Sequence, residues 1–206
     1  MRRLAAILAL MAAPAFATVD GWPALYDVAG VTADDVLNLR ARPDPHSPVI
    51  GTLAPDARGV EVIRTDPRQR WGLVNTGDTA GWASLTFLAR RSGQWDGAIP
   101  ARLYCAGTEP FWAMSLTPDG MRIRRADEGE RDLEPLRSEP AQARRDKWAF
   151  FAGDRDRAAT GIVTVAACTD GMSQREYGLA VDLVETAAGT MRVTTGCCSL
   201  APPAAD

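Results

Sequence analysis

The stretch CAGTEPFWAMSLTPDGMRIRR, residues 105–125, decides how much of this chain folds. Inside it, Thr117-Pro118-Asp119-Gly120 has the chemistry of a tight turn: proline presets φ, the aspartate side chain can hydrogen-bond nearby backbone, and glycine takes positive φ without steric cost. The flanks alternate. Trp112, Met114 and Leu116 share one face before the turn, and Met121 and Ile123 alternate with Arg122 and Arg124 after it, which is the period of a half-buried strand. The stretch predicts a β-hairpin with Trp112 in a core. Phe111 falls on the opposite face with Ala113 and Ser115, beside Glu109. Residues 107–110 read as the turn leading in.

Working outward, residues 102–105 and 161–167 read as strands, and Tyr177, Leu179, Val181 and Leu183 alternate before a turn at 186–189 and a last strand at 190–195. The charged segment ADEGERDLEPLRSEPAQARRDK, residues 126–147, has few apolar anchors and reads as a solvated loop with at most one short helix. At least five strands and no sustained helical period predict a second antiparallel β-barrel or sandwich over residues 102–200, with 201–206 as a tail. All four cysteines lie here. A ring through the neighbours Cys197 and Cys198 is strained, so Cys105 and Cys168 are each expected to bridge to one of that pair, with the partner of each left open. Closing loops of about 30 and 90 residues stabilises by roughly 3 to 4.5 kcal/mol each. The spacing lacks the CxxC pairs of a zinc site, so neither a metal nor another cofactor is expected.

The first half has a different texture. Residues 36–39, 49–53, 60–63, 71–74 and 81–85 are short apolar segments separated by Pro-Asp-Pro, Pro-Asp, Asp-Pro and Thr-Gly-Asp. Strands this short shield their edges by closing, so a small barrel over 18–92 is expected, with 93–101 as a linker. The chain as a whole reads as all-β. Its start, MRRLAAILALMAAPAFA, has two arginines, an apolar run too short to span a bilayer and a small-residue Ala15-Phe16-Ala17 site, so residues 1–17 read as a Sec signal peptide cleaved after Ala17. The expected location is the periplasm or the exterior, with no integral membrane segment after cleavage. Removing Arg2 and Arg3 leaves 21 basic against 26 acidic residues, a formal charge of −5, which argues against nucleic acid as a partner.

Leu37-Asn38-Leu39-Arg40 followed by Pro43, then Val49-Ile50-Gly51-Thr52-Leu53, Trp71, Gly81-Trp82-Ala83 and Leu88 stand in the order of bacterial SH3 (SH3b) domains. The first half resembles that family over its whole length. The resemblance implies an SH3-like barrel that binds cell-wall peptides or serves as a protein-interaction module, without catalysis of its own. On it, Tyr26 with Trp71 or Trp82 would line an aromatic groove, against the plainer reading that the tryptophans pack the barrel or its seam. Ala24-Leu25-Tyr26-Asp27 also matches the ALYDY signature of eukaryotic signalling SH3 domains, but Gly72 stands after Trp71 where their second tryptophan belongs, and that similarity is read as chance. In the second half, Gly107-Thr108-Glu109-Pro110-Phe111-Trp112, Cys168-Thr169-Asp170-Gly171-Met172-Ser173 and Gly196-Cys197-Cys198 resemble an uncharacterised family of bacterial periplasmic proteins and lipoproteins. Gln174 replaces that family's usual acidic residue.

These observations favour a non-enzymatic envelope protein whose partner is a cell-wall peptide or an envelope protein. Candidate ligand-binding residues are Tyr26, Trp71, Trp82, Glu109, Phe111 and Asp170, the last three as a rim. No catalytic residue is assigned: the lone His46 sits in a polar loop with no nucleophile beside it. The alternatives are an envelope hydrolase using Glu109 and Asp170, a thiol oxidoreductase using Cys197-Cys198, or an inhibitor of wall-degrading enzymes.

Overall fold

The computed structural model describes residues 21–202, so the signal-peptide reading of residues 1–17 lies outside the described residues. The protein is nearly all β, with antiparallel sheets and two disulfides. The first half comprises β1 (Ala24–Val28), β2 (Leu37–Arg40), β3 (Val49–Leu53), β4 (Val60–Val62), β5 (Trp71–Thr76), β6 (Thr79–Ser84), a 3₁₀ turn (Leu85–Phe87) and β7 (Leu88–Arg90). They form two sheets, ordered β4-β1-β7 and β3-β2-β6-β5. Between them pack Ala24, Tyr26 and Val28 of β1 with Leu39, Val62, Val74, Ala83 and Leu88. A Cβ at Gly72 would stand 2.6 Å from Val62 Cγ1, so glycine lets the sheets close. The strand β1 went unassigned in the sequence reading, although its alternation of buried and half-buried residues is regular.

The second half continues with β8 (Leu103–Thr108), β9 (Phe111–Thr117), β10 (Gly120–Arg125), β11 (Gly129–Leu133), β12 (Leu136–Pro140), β13 (Lys147–Gly153), β14 (Arg157–Cys168), β15 (Tyr177–Ala187) and β16 (Thr190–Ser199). Each strand pairs with its sequence neighbour except β11 with β12, and β16 returns to pair with β8. The result is a nine-stranded, nearly closed barrel-like sheet whose one gap lies between β11 and β12. The expected hairpin forms between β9 and β10, with Thr117 opposite Gly120 and Met114 opposite Ile123. Trp112, Met114, Leu116, Met121 and Ile123 are buried in one cluster with Trp148, Phe150, Val163, Val181 and Leu183.

The reading of residues 126–147 as a solvated loop is corrected: it contains β11 and β12. The charges that suggested solvent are cross-strand partners. Arg122 on β10 stands opposite Asp132 on β11 and binds it at 2.7 Å, with Glu130 at 3.3 Å, while Leu133 turns inward. A strand that spends its outer face on ion pairs and has few inward residues shows little apolar alternation. The strand β13 was also missed.

One end of the interior is charged. Arg125 and Glu185, both buried, form an ion pair there, and Arg125 also donates to Thr194 Oγ1 at 3.3 Å. Arg131 continues the network, binding Glu185 at 3.1 Å and Glu128 at 2.7 Å. Such a network is satisfied only as a set, because removal of one partner strands the other charge in a poorly solvated place.

The two halves are packed together. Arg64 holds Glu176 through two 3.1 Å hydrogen bonds, and Asn75 exchanges two with the Glu176 backbone, at 2.9 and 3.1 Å. The Gln174 N–H donates to the Asp78 carbonyl at 2.8 Å. Ile63 and Leu73 are buried yet belong to neither core cluster, and the position of a Cβ on Gly178 would be 3.2 Å from the Ile63 carbonyl. Residues 93–101, read as a linker, are a fitted connector. Gln94 accepts from the Leu25 N–H at 2.6 Å and donates to the Leu25 carbonyl at 2.9 Å, and Ile99 packs against the second core.

Candidate functional site

The first candidate site is the cleft between the halves, of about 630 Å³. Its walls come from Trp22 and Pro23 ahead of β1, from Arg58 and Gly59 ahead of β4, from the connector, and from Tyr104, Trp148, Val165 and Leu179 of the second barrel. One wall is rigid. Trp22 stacks on buried Tyr26 with ring centroids 5.9 Å apart and planes 2° from parallel. The Arg90 guanidinium lies 4.9 Å from the Trp22 ring centroid and donates to the Tyr26 hydroxyl, to the Gly21 carbonyl at 2.6 Å and to the Gln94 carbonyl at 2.7 Å. Trp95, 55% exposed, also lines the cleft.

The cleft is basic. Arg58, Arg90, Arg91, Arg102 and Arg145 line it, set against Asp96 in the lining and Asp27 behind it. Arg91 and Arg58 bind Asp27 at 2.7 and 3.2 Å. The hydrogen bond from Arg91, with that from the Gly59 N–H, holds the Asp27 carboxyl down at about 2. Arg145 stands 3.8 Å from Asp96. Arg102, exposed, makes no hydrogen bond or ion pair among the described residues.

A second depression of about 600 Å³ lies on the outer face of the second barrel. Ala106 and Ala113 contribute to its lining, together with Phe111, Arg124, Asp170 and Tyr177. Phe111 is 60% exposed whereas its neighbour Trp112 is 4% exposed. Asp170 is tied into its own loop: its oxygens accept from the backbone N–H groups of Met172 and Ser173 at 3.0 and 2.9 Å, from the Ser173 hydroxyl at 2.8 Å and from the Tyr177 hydroxyl at 3.4 Å. Burial would raise its pKa, but these hydrogen bonds outweigh burial and hold it below the usual carboxylate range. Asp170 is thus an anionic loop fastener. Glu109 is exposed and does not line the depression that Phe111 and Asp170 share.

The other sequence candidates lie elsewhere. None of Tyr26, Trp71 and Trp82 lines the cleft; Tyr26 backs its wall from inside the first core. Trp82 lies beneath Arg64, whose guanidinium is 5.0 Å from its ring centroid, and so beneath the bridge to Glu176. Trp71 is half-buried on β5. Sequence reasoning missed Trp22, Trp95 and Arg102, since only the fold brings the flanks of two barrels together. The signal within the sequence was an unassigned aromatic at each end of the first half.

The cysteines form Cys105–Cys198 and Cys168–Cys197. Neighbours on a strand face opposite ways: Cys198 points into the core with Cys105, and Cys197 borders the outer depression. No cysteine is free, and no group of three or more His, Cys, Asp or Glu among the described residues is placed to hold a metal ion.

One carboxylate stands apart. Glu61 on β4 accepts from the Ala201 N–H at 3.4 Å; among the described residues its other oxygen is buried without a partner, and the buried Nε of Arg175 also lacks one. Burial pushes the Glu61 carboxyl up to about 7, against the opposing pull of the Leu200 and Ala201 N–H groups and of Arg175. Comparisons with protein-family models, with curated proteins and with solved structures return no match.

Proposed function

We propose that this is an exported protein of the cell envelope that binds a cell-wall peptide or an envelope protein and performs no chemistry on it. The observation that carries this reading is the cleft between the halves: it is of ligand size, lined by Trp22, which Tyr26 and Arg90 hold in place, and by Trp95, and surrounded by guanidinium groups. The SH3b resemblance of residues 37–88 supports a binding role. Two disulfides suit the oxidising compartment that the first 17 residues suggest. Against an envelope hydrolase stands Asp170, both of whose oxygens are committed to its loop. Against a thiol oxidoreductase stands the assignment of Cys197 and Cys198 to separate bridges. The test is co-sedimentation of the purified protein with intact peptidoglycan, alone and coated with envelope protein. Retention is expected. Solubilisation of the wall would replace this reading with an enzyme, and failure to sediment with either material would end it.

A further inference from the structure

Resting on that binding role, we propose that the ligand seat is the cleft shared by both halves and that its occupant is a short peptide with a free carboxylate, with Arg102 as counter-ion and Trp95 and Trp22 against its apolar groups. Charge complementarity selects this occupant. Five arginines surround the cleft and two aspartates answer them, in a chain whose formal charge is −3. The pairs Arg58–Asp27, Arg91–Asp27 and Arg145–Asp96 account for three guanidinium groups, and Arg90 is committed to Tyr26, Gly21 and Gln94. Arg102 is left exposed and without a partner among the described residues, in the lining of an aromatic-walled space. A guanidinium in that position offers a carboxylate two parallel, charge-assisted hydrogen bonds.

Size and rigidity complete the argument. About 630 Å³ admits a few residues of extended chain and excludes a folded domain. Trp22 is already fixed by Tyr26 and Arg90, so little side-chain freedom is lost when a ligand arrives. One guanidinium unpaired among the described residues suits one carboxylate; a nucleic-acid backbone would call for a row of them. The seat also explains why the connector is pinned through Gln94: Trp95 and Arg102 both depend on its path.

The probe is the tripeptide Ala-Glu-Ala with free carboxylates, titrated into the whole protein while the indole N–H resonances of the six tryptophans are followed by NMR. The counterpart without carboxylates is Ala-Gln-Ala with an amidated C-terminus, both peptides being acetylated at the N-terminus so that the counterpart is neutral. Saturable binding of the acidic peptide is expected, with shifts at Trp22 and Trp95, and binding about tenfold weaker for the amide and for Arg102→Gln. Trp95→Ala should weaken binding by a similar factor, and neither exposed substitution should move the melting temperature. Equal affinity for the two peptides, no effect of Arg102→Gln, no saturable binding, or shifts confined to the depression beside Phe111 would each overturn the assignment. Retention on peptidoglycan that survives both substitutions overturns the cleft while leaving the envelope-binding role standing. Loss of retention by the unaltered protein does the reverse.

Discussion

The two halves are stabilised by different means. The first gathers ten buried residues around β1 and has no covalent tie; the second gathers eighteen and is closed by two disulfides. A domain of the first half's size buries a modest fraction of its surface, and this one adds to its burial by leaning on its neighbour, which approaches the Ile63 carbonyl at Gly178 and takes Leu25 against its own core. The contact between them is therefore where the smaller barrel gains part of its stability, and the cleft lies along the same contact.

Reduction should have the largest effect and strike only one side. On loop-entropy grounds, bridges spanning 29 and 93 residues stabilise by about 3.5 and about 4.5 kcal/mol. Melting with and without reductant, followed by fluorescence and by proteolysis mapped along the chain, should show the second half failing first. Equal loss in both halves would mean that they unfold as one unit. Next is Trp112→Ala, which empties space beneath Gly107 and Gly196 and should cost about 3–5 kcal/mol in chemical denaturation. Phe111→Ala, one residue away and exposed, should cost under about 1 kcal/mol. Similar losses would show that the outer face is covered in solution.

The contact between halves should respond to pH. The carboxyl of Glu61 is raised from its ordinary value to about 7, so its contribution is complete below about 4.5 and is lost as pH rises through 7. Stability should fall by about 3 kcal/mol across that window, and Glu61→Gln should flatten the fall, as read from denaturation midpoints between pH 4 and 8.5. A profile unchanged by the substitution would place the titration elsewhere. Smallest is Arg64→Ala: both partners of its bridge to Glu176 are about half exposed, so the cost should be under about 1 kcal/mol and should shrink further in high salt.

Legibility varied within the second half itself. The hairpin around Pro118 and Gly120 could be read directly, since turn chemistry and alternation are local and agree. β11 and β12 could not, because Arg122, Glu130 and Asp132 look like a solvated run until register sets Arg122 opposite Asp132. Tyr26 was legible as an aromatic of interest but not as a buried one backing Trp22. For Phe111, Glu109 and Asp170, the strand's alternation turned Phe111 outward, while the tethering of Asp170 by Ser173 and Tyr177 appeared only with the loop folded.

By itself the sequence determined the all-β class, the exposure of Phe111 beside a buried Trp112, and the separation of Cys197 from Cys198. Each follows from the two-residue period of a strand or the conformational limits of a small ring, properties carried by a few consecutive residues. Only the tertiary structure decided that Cys198 takes Cys105 and Cys197 takes Cys168, that a charged segment supplies the two edge strands of the nine-stranded sheet, and that Trp22, Trp95 and Arg102 border one cleft. Those outcomes depend on which strands meet, in what register, and on how two barrels settle against each other. Such distances run between residues far apart in the chain, and no local period encodes them.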